Sequence, residues 1–255
     1  MNGVFRHGES VLILSGPRSF LIRLEGDMAR IEGGRGAVST SSIVGLRPGS
    51  RIRIGSREMV VIRPDALDFI EHLKRGAQII TPKDSSAITA YLGIADGKTV
   101  IEGGAGSGGL TIALLNAVKP TGRVITYEIR QDHLARTSSN VETAGLSEQW
   151  EGRIGDIRQL DLENEADGFV IDIPDGEKAV KCASRALKPG GRFVSYVPTV
   201  NQMERIVAML RSEDFSFISA EEIIRREYSV REGAVRPDTE MLGHTGFIIR
   251  ARWIG

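Results

Sequence analysis

The 255-residue chain has a single cysteine, Cys182, in a helix-like segment. That excludes an internal disulfide and leaves no cysteine cluster for a zinc ion. It also lacks net charge, since 33 Lys and Arg balance 33 Asp and Glu. A uniformly basic coat for nucleic acid is therefore excluded, and any contact with RNA has to be local. Long apolar runs are missing too. Stretches such as 12–14 and 60–62 fall far short of a bilayer span, and residues 1–23 show neither the basic start nor the apolar core of a secretory signal. The expectation is a cytoplasmic protein with no membrane partner. What the chain does have is 41% apolar and 26% charged residues, enough to build an ordinary globular core.

Two halves differ in texture. Residues 1–64 read as short β-prone runs cut by glycine turns, "VLILSG", "FLIRLEGD", "ARIEGGRG" and "SRIRIGSREMVVIRP", which predict a small β-rich domain, a barrel or a meander. Over 65–255 helix and strand alternate. Helices are expected in "DALDFIEHLKR" and in "DSSAITAYLGI", the latter with Asp84 and Ser85 capping its first turn. Apolar strands are expected at 98–102, 123–128, 150–154, 168–172 and 192–197, separated by helices at 108–117, 131–144, 177–187 and 202–213. Two further strands, 215–227 and 246–253, have no helix between them and should pair antiparallel at one edge. The fold class is thus α/β, a doubly wound sheet of seven strands.

The segment "TVIEGGAGSGGLTIALL" carries a G-x-G-x-x-G at Gly104, Gly106 and Gly109. Glycines at a strand-to-helix turn let backbone N–H groups approach a ligand closely. No Gly-Lys-Ser/Thr follows, so this is not a P-loop. Glu128, 19 residues past Gly109 at the end of the next strand, suits the ribose of any adenosine. The choice between a dinucleotide and S-adenosylmethionine falls to the other acids. Glu102 precedes the glycines, where a carboxylate suits an ammonium and a sulfonium but repels a pyrophosphate. Asp156 in "IGDI" is placed to accept from an adenine amine, and Asp172 in "FVIDIPD" completes a row of acids at the carboxyl ends of consecutive strands. Four acids around one crevice favour a cationic ligand. A nicotinamide oxidoreductase remains the rival reading.

This arrangement resembles the seven-stranded, Rossmann-like S-adenosylmethionine-dependent methyltransferases, in which the loop from Gly104 to Gly109 would hold the methionine end of the cofactor, Glu128 the ribose and Asp156 the adenine. More specific is "RGAQIITPKDSSAI" at 75–88, followed in order by "EGGAGSGGLT", "YEIRQDH", "DIPD" and the tail "RPDTEMLGHTGFIIRARW". The set resembles the tRNA (adenine-N1)-methyltransferases, which form 1-methyladenosine at T-loop position 58, archaeal members also at 57. The resemblance implies a tRNA substrate, a homotetramer, and a cofactor pocket contributed by Gln78, Glu102, Gly104, Ala105, Gly106, Ser107, Gly108, Gly109, Leu110, Glu128, His133, Asp156 and Asp172. Asp172 would also act in catalysis, accepting a hydrogen bond from the adenine N6 amine and so orienting N1. Displacement at a sulfonium methyl needs alignment and exclusion of water, and asks for neither a metal nor a covalent nucleophile. Thr81 departs from the family, which often has an aromatic ring or histidine there to stack on the flipped base. His244 and Thr245 are expected beside the active-site mouth. Arg225, Arg226, Arg231 and Arg236, with Lys74 and Arg75, are the candidate phosphate contacts. Rival readings of the same fold are a methyltransferase acting on a protein carboxylate or a corrin precursor, and a non-catalytic tRNA-binding subunit.

Overall fold

The computed structural model describes residues 3–31, 36–74, 76 and 79–255. The N-terminal part forms β1 (Ser10–Ser15), β2 (Arg18–Arg23), β3 (Met28–Arg30), β4 (Ala37–Ser39), β5 (Ser50–Ile54) and β6 (Arg57–Ile62). The four-stranded sheet runs β2-β1-β6-β5, with β3 and β4 as a separate hairpin. This is not a simple meander, because β1 pairs with the distant β6, Leu12 opposite Ile62. The distant pairing shelters a small core of its own around Phe5, Val11, Ile13, Leu24 and Val61.

Beyond Pro64, Asp65 caps α1 (Ala66–Glu71), its Oδ1 accepting from the backbone N–H groups of Leu67 and Asp68, while Asp68 Oδ2 accepts from the Asp65 N–H. Next come α2 (Pro82–Leu92), β7 (Thr99–Gly103), α3 (Gly109–Val118), β8 (Arg123–Glu128), α4 (Gln131–Thr143), β9 (Trp150–Ile154), β10 (Ala166–Ile171), α5 (Val180–Ala186), β11 (Leu187–Val197), α6 (Val200–Ser212) and β12 (Ser216–Glu222). The chain closes with β13 (Tyr228–Ser229), β14 (Arg236–Pro237) and β15 (Phe247–Arg252). Among the described residues no helix is long and apolar enough to cross a membrane.

The large sheet has the order β12-β15-β11-β10-β7-β8-β9. Strands β9, β8, β7, β10 and β11 are parallel, and β15 runs antiparallel to both β11 and β12. The expected antiparallel pair is therefore at the edge, with β15 inserted inside β12. Adjacent residues on each parallel strand serve opposite cores. Val100, Val124, Val170 and Val194 face α2 and α3, whereas Ile101, Ile125, Ile171 and Phe193 face α5 and α6. That two-sided burial is why these strands read as continuous apolar runs. Several boundaries differ from expectation: β11 starts five residues earlier, at Leu187, β12 ends at Glu222, and α2 begins at Pro82 with Thr81 as its N-cap residue, so Asp84 and Ser85 lie inside the first turn and do not cap it. Proline at the first helical position is the signal for that start.

The N-terminal sheet leans on the larger unit through polar contacts. Ser10 Oγ donates to the Thr143 carbonyl at 2.6 Å, and Arg23 pairs with Glu142 at 3.1 Å. Both contacts reach the C-terminal end of α4.

Candidate cofactor and active site

The order of strands reverses between β7 and β10, and a crevice opens there at their carboxyl ends. It is a cavity of about 370 Å³ whose floor is the glycine loop and whose walls follow β8, β9 and β10. Gly104 sits at φ +93, and a Cβ on it would lie 2.3 Å from the carbonyl oxygen of Asp172. Only glycine lets the β7 loop pass that close under the β10 loop. Gly106, at φ +54, meets nothing within 4 Å, so the backbone there borders open space. Ala105, Gly106, Ser107, Gly109 and Leu110 line the cavity with Gly104; Gly108, at φ +84, instead sets the turn against Thr137. Asn140 of α4 steadies the loop, its Nδ2 donating to the Ser107 carbonyl at 2.9 Å.

The acids do not all behave as the sequence suggests. Glu128 is buried at the end of β8, its Oε2 accepting from the Ala105 N–H at 3.1 Å and its Oε1 from the Arg130 N–H at 3.0 Å. His133 Nδ1 stands 3.6 Å from Oε2 of the same carboxylate, and both residues line the cavity. Asp156 also lines it, but Arg158 occupies both its oxygens, Nε to Oδ1 at 2.7 Å and Nη2 to Oδ2 at 2.9 Å, and that side-chain bonding holds its carboxyl below the usual range. Asp156 Oδ1 also accepts from the Arg158 N–H at 3.0 Å, so it caps the short turn that follows. Arg130 and Arg158 both line the crevice, which is therefore a mixed rim and not four bare carboxylates. Asp172 opens onto the cavity directly after β10, and the protein mass around it raises its carboxyl to about 6. Gln78 lies outside the described residues.

Glu102 is the larger departure. It is 1% exposed and absent from the cavity wall, tucked behind the glycine loop. Its Oε2 accepts from Thr111 Oγ1 and from Thr126 Oγ1, each at 2.7 Å, and its Oε1 is buried without a partner. Burial lifts its carboxyl to about 7 against those hydroxyl bonds, with Asp172 and Glu128 adding like-charge repulsion. The folded state thus holds this proton more tightly than the unfolded chain, whose value is 4.5. Stability from this group is fullest below the unfolded value and declines as pH rises through about 7, by on the order of a few kcal/mol. In Glu102→Gln the difference in unfolding free energy between acidic and alkaline buffer should shrink, leaving the smaller decline that Asp172, raised to about 6, contributes. An unchanged difference would assign the titration elsewhere.

Some wall residues carried no sequence signal as ligands: Ile79, Ile80, Tyr127, Ile129, Ile157, Ile173 and Pro174 supply its apolar surface. Strand-end position was the only clue available for them. Beside the crevice, Asp84 is fully buried and collects donors from three segments: Thr81 Oγ1 (2.8 Å) and Lys83 Nζ (2.7 Å) on α2, the Tyr196 hydroxyl (3.3 Å) on β11, and Thr245 Oγ1 (2.9 Å) before β15. Lys83 is therefore spent internally and is no free basic residue. His244, next to Thr245, has Nδ1 2.5 Å from Glu222 Oε1 and Nε2 2.9 Å from the Pro198 carbonyl, and Glu222 above all holds it protonated past its usual range.

Five parallel strands closed by a reversed one, with a glycine loop and a strand-end acid at the switch point, define the S-adenosylmethionine-dependent methyltransferase fold. A SAM-dependent O-methyltransferase from Thermotoga maritima has a similar structure, with a TM-score of 0.88 and 30% identity, over 99% of this chain and 96% of that one. Residues 61–242 match the family described as tRNA methyltransferase complex GCD14 subunit, and the chain belongs to that family. Among its relatives, tRNA (adenine(57)-N(1)/adenine(58)-N(1))-methyltransferase TrmI of Methanocaldococcus jannaschii is 37% identical, over 75% of this chain and 77% of that protein. The tRNA (adenine(58)-N(1))-methyltransferase TrmI of Thermus thermophilus is 34% identical, over 86% of each.

Proposed function

We propose that the chain transfers a methyl group from S-adenosylmethionine to N1 of an adenine in the tRNA T-loop, at position 58 and, as in the archaeal relative, at the neighbouring 57. The observation that carries this reading is the match to two such enzymes across three quarters or more of the chain, laid over a crevice whose mouth holds Asp172. The residues present fit the cofactor: open space at Gly106, the Glu128 carboxylate at the end of β8, and His133 beside it on the same wall.

The cofactor, when bound, supplies an electrophilic methyl on a sulfonium. The rest is the work of this chain. Gly104 to Leu110 receive the methionine end, Glu128 and His133 the ribose side, and Asp156 the adenine end, where a new donor has to share its oxygens with Arg158. Ile79, Ile80 and Ile173 keep water from the reacting atoms. Asp172 accepts from the N6 amine of the target adenine, which aligns the N1 lone pair and offsets the positive charge growing on the ring.

The active species is a homotetramer, and the segment between β12 and β15 is the surface that assembles it. Ile224, Tyr228, Val230, Val235, Met241 and Leu242 are all exposed there, a row of large apolar side chains that a lone copy leaves in water. Light scattering on the purified protein should give the mass of four chains, and a monomer at micromolar concentration would refute it. The compartment is the cytoplasm.

The test of the activity is incubation of unmodified tRNA transcript with labelled cofactor and mapping of the product. Label is expected in 1-methyladenosine within the T-loop. Label on a ribose oxygen would favour oxygen methylation, the activity named for the Thermotoga maritima protein.

A further inference from the structure

A second cavity, of about 430 Å³, lies at the other end of the sheet, where the end of α2 meets β11, β12 and β15. Register places Arg192 of β11 directly opposite Arg252 of β15, and Arg250 two residues along β15 on the same face. Like charges directly opposite in an antiparallel pair oppose the pairing. Among the described residues none of the three guanidinium groups is ion-paired with a carboxylate. Arg192 Nη1 donates to the Tyr91 carbonyl at 3.2 Å, and Arg250 lies 4.3 Å from the centre of the Tyr91 ring with its Nε buried and unpartnered. Glu221, close by, engages the Tyr91 hydroxyl. Burial, then Arg252 and Arg250, pull the Arg192 pKa below its usual range. A protein with zero net charge thus gathers three cations on one wall, with Glu221 as the carboxylate nearby. Residues of β12 and its bulge add to the cavity wall. Ser219 adds a hydroxyl, and Phe217 is 82% exposed at φ +55 in the bulge between Ser216 and Ser219. A bulky residue seldom adopts that backbone conformation.

We propose that Arg192, Arg250 and Arg252 form a phosphate site that holds a backbone phosphodiester of the RNA substrate, away from the base that is methylated. Planar guanidinium groups bind phosphate oxygens in pairs, and an anion between them removes the repulsion written into the strand register. The proposal rests on the tRNA reading above. Arg192 lies three residues before Ser195, the partner of Ile171, which directly precedes Asp172, so the site is about 10 Å down the strand from the reacting end. A contact there cannot touch the target base. Its binding energy instead helps offset the cost of extruding that base from the folded loop.

The test measures binding of tRNA transcript over a salt series for the wild type, for Arg250→Ser/Arg252→Ser, and for Arg250→Lys/Arg252→Lys. The serine pair should bind roughly tenfold more weakly at moderate salt and lower the slope of log affinity against log salt by about one to two, while the lysine pair keeps most of the slope. S-adenosylmethionine binding and assembly mass should be unchanged in both. Parallel titrations with inorganic phosphate and with AMP separate the sources of the phosphoryl group. Tight binding of either, lost in the serine pair while tRNA affinity is kept, would mean a small-molecule site and overturn the RNA assignment. A serine pair that binds tRNA with the wild-type slope, or that changes the assembly mass, also overturns it and leaves the methyltransferase reading standing. Failure of the wild type itself to bind tRNA would remove that reading as well.

Discussion

A Gly104→Ala protein is expected to bind S-adenosylmethionine roughly 100-fold more weakly than the wild type and to melt several degrees lower, as a cost of about 2–3 kcal/mol requires. The new methyl would stand 2.3 Å from the Asp172 carbonyl oxygen, a backbone atom that no rotamer change can move aside. Either the glycine loop lifts or the end of β10 retreats, and the first spoils the floor of the crevice while the second displaces Asp172. The positive φ of +93 adds strain of its own. Gly106→Ala supplies the control, because alanine there meets no atom within 4 Å and carries only the conformational penalty. Calorimetric titration with melting curves should show position 104 damaged in both measurements and position 106 lowered less in melting temperature, by the backbone penalty alone. Equal behaviour of the two would show that close passage beneath Asp172 is not what the loop requires.

Turnover is expected to respond most at Asp172. Asp172→Asn keeps the shape of the side chain and loses the charge, and kcat/KM should fall by about 100- to 1000-fold, the usual effect of losing a group that stabilises developing charge. Cofactor affinity should change far less, since the glycine loop and Glu128 are untouched. The wild-type carboxyl, raised to about 6, must be ionised to accept from the N6 amine, so kcat/KM should climb with pH through about 6 and level off above it. That acid limb should be missing from the asparagine variant. Single-turnover chemistry that is unimpaired in Asp172→Asn would remove the residue from the reaction, whatever happened to binding.

The strands of the large sheet were legible because burial on both faces leaves little choice of residue, as in Val100-Ile101 and Val170-Ile171. The position of the crevice followed from the glycines and from acids at strand ends. Depth was harder to read. Its place before the glycines puts Glu102 at the crevice, yet the two-residue period that turns Val100 toward α3 turns Glu102 the same way, between Thr111 of α3 and Thr126 of β8. That alternation was available and outweighs proximity to the loop. Position along the strand points to Asp156 but says nothing of the guanidinium two residues later that claims it. The pairing of β1 with β6 and the gathering of four donors on Asp84 join residues far apart along the chain, and no local pattern announces them.

The contact between His244 and Glu222 joins residues 22 apart, and Asp84 grips Thr245 one residue further on. The exposed excursion between them is thus pinched shut at its neck, and its own length does not enter the geometry of the crevice. Polar replacements at its exposed apolar positions should therefore act on association first, while the neck keeps Asp84 and Thr245 in place.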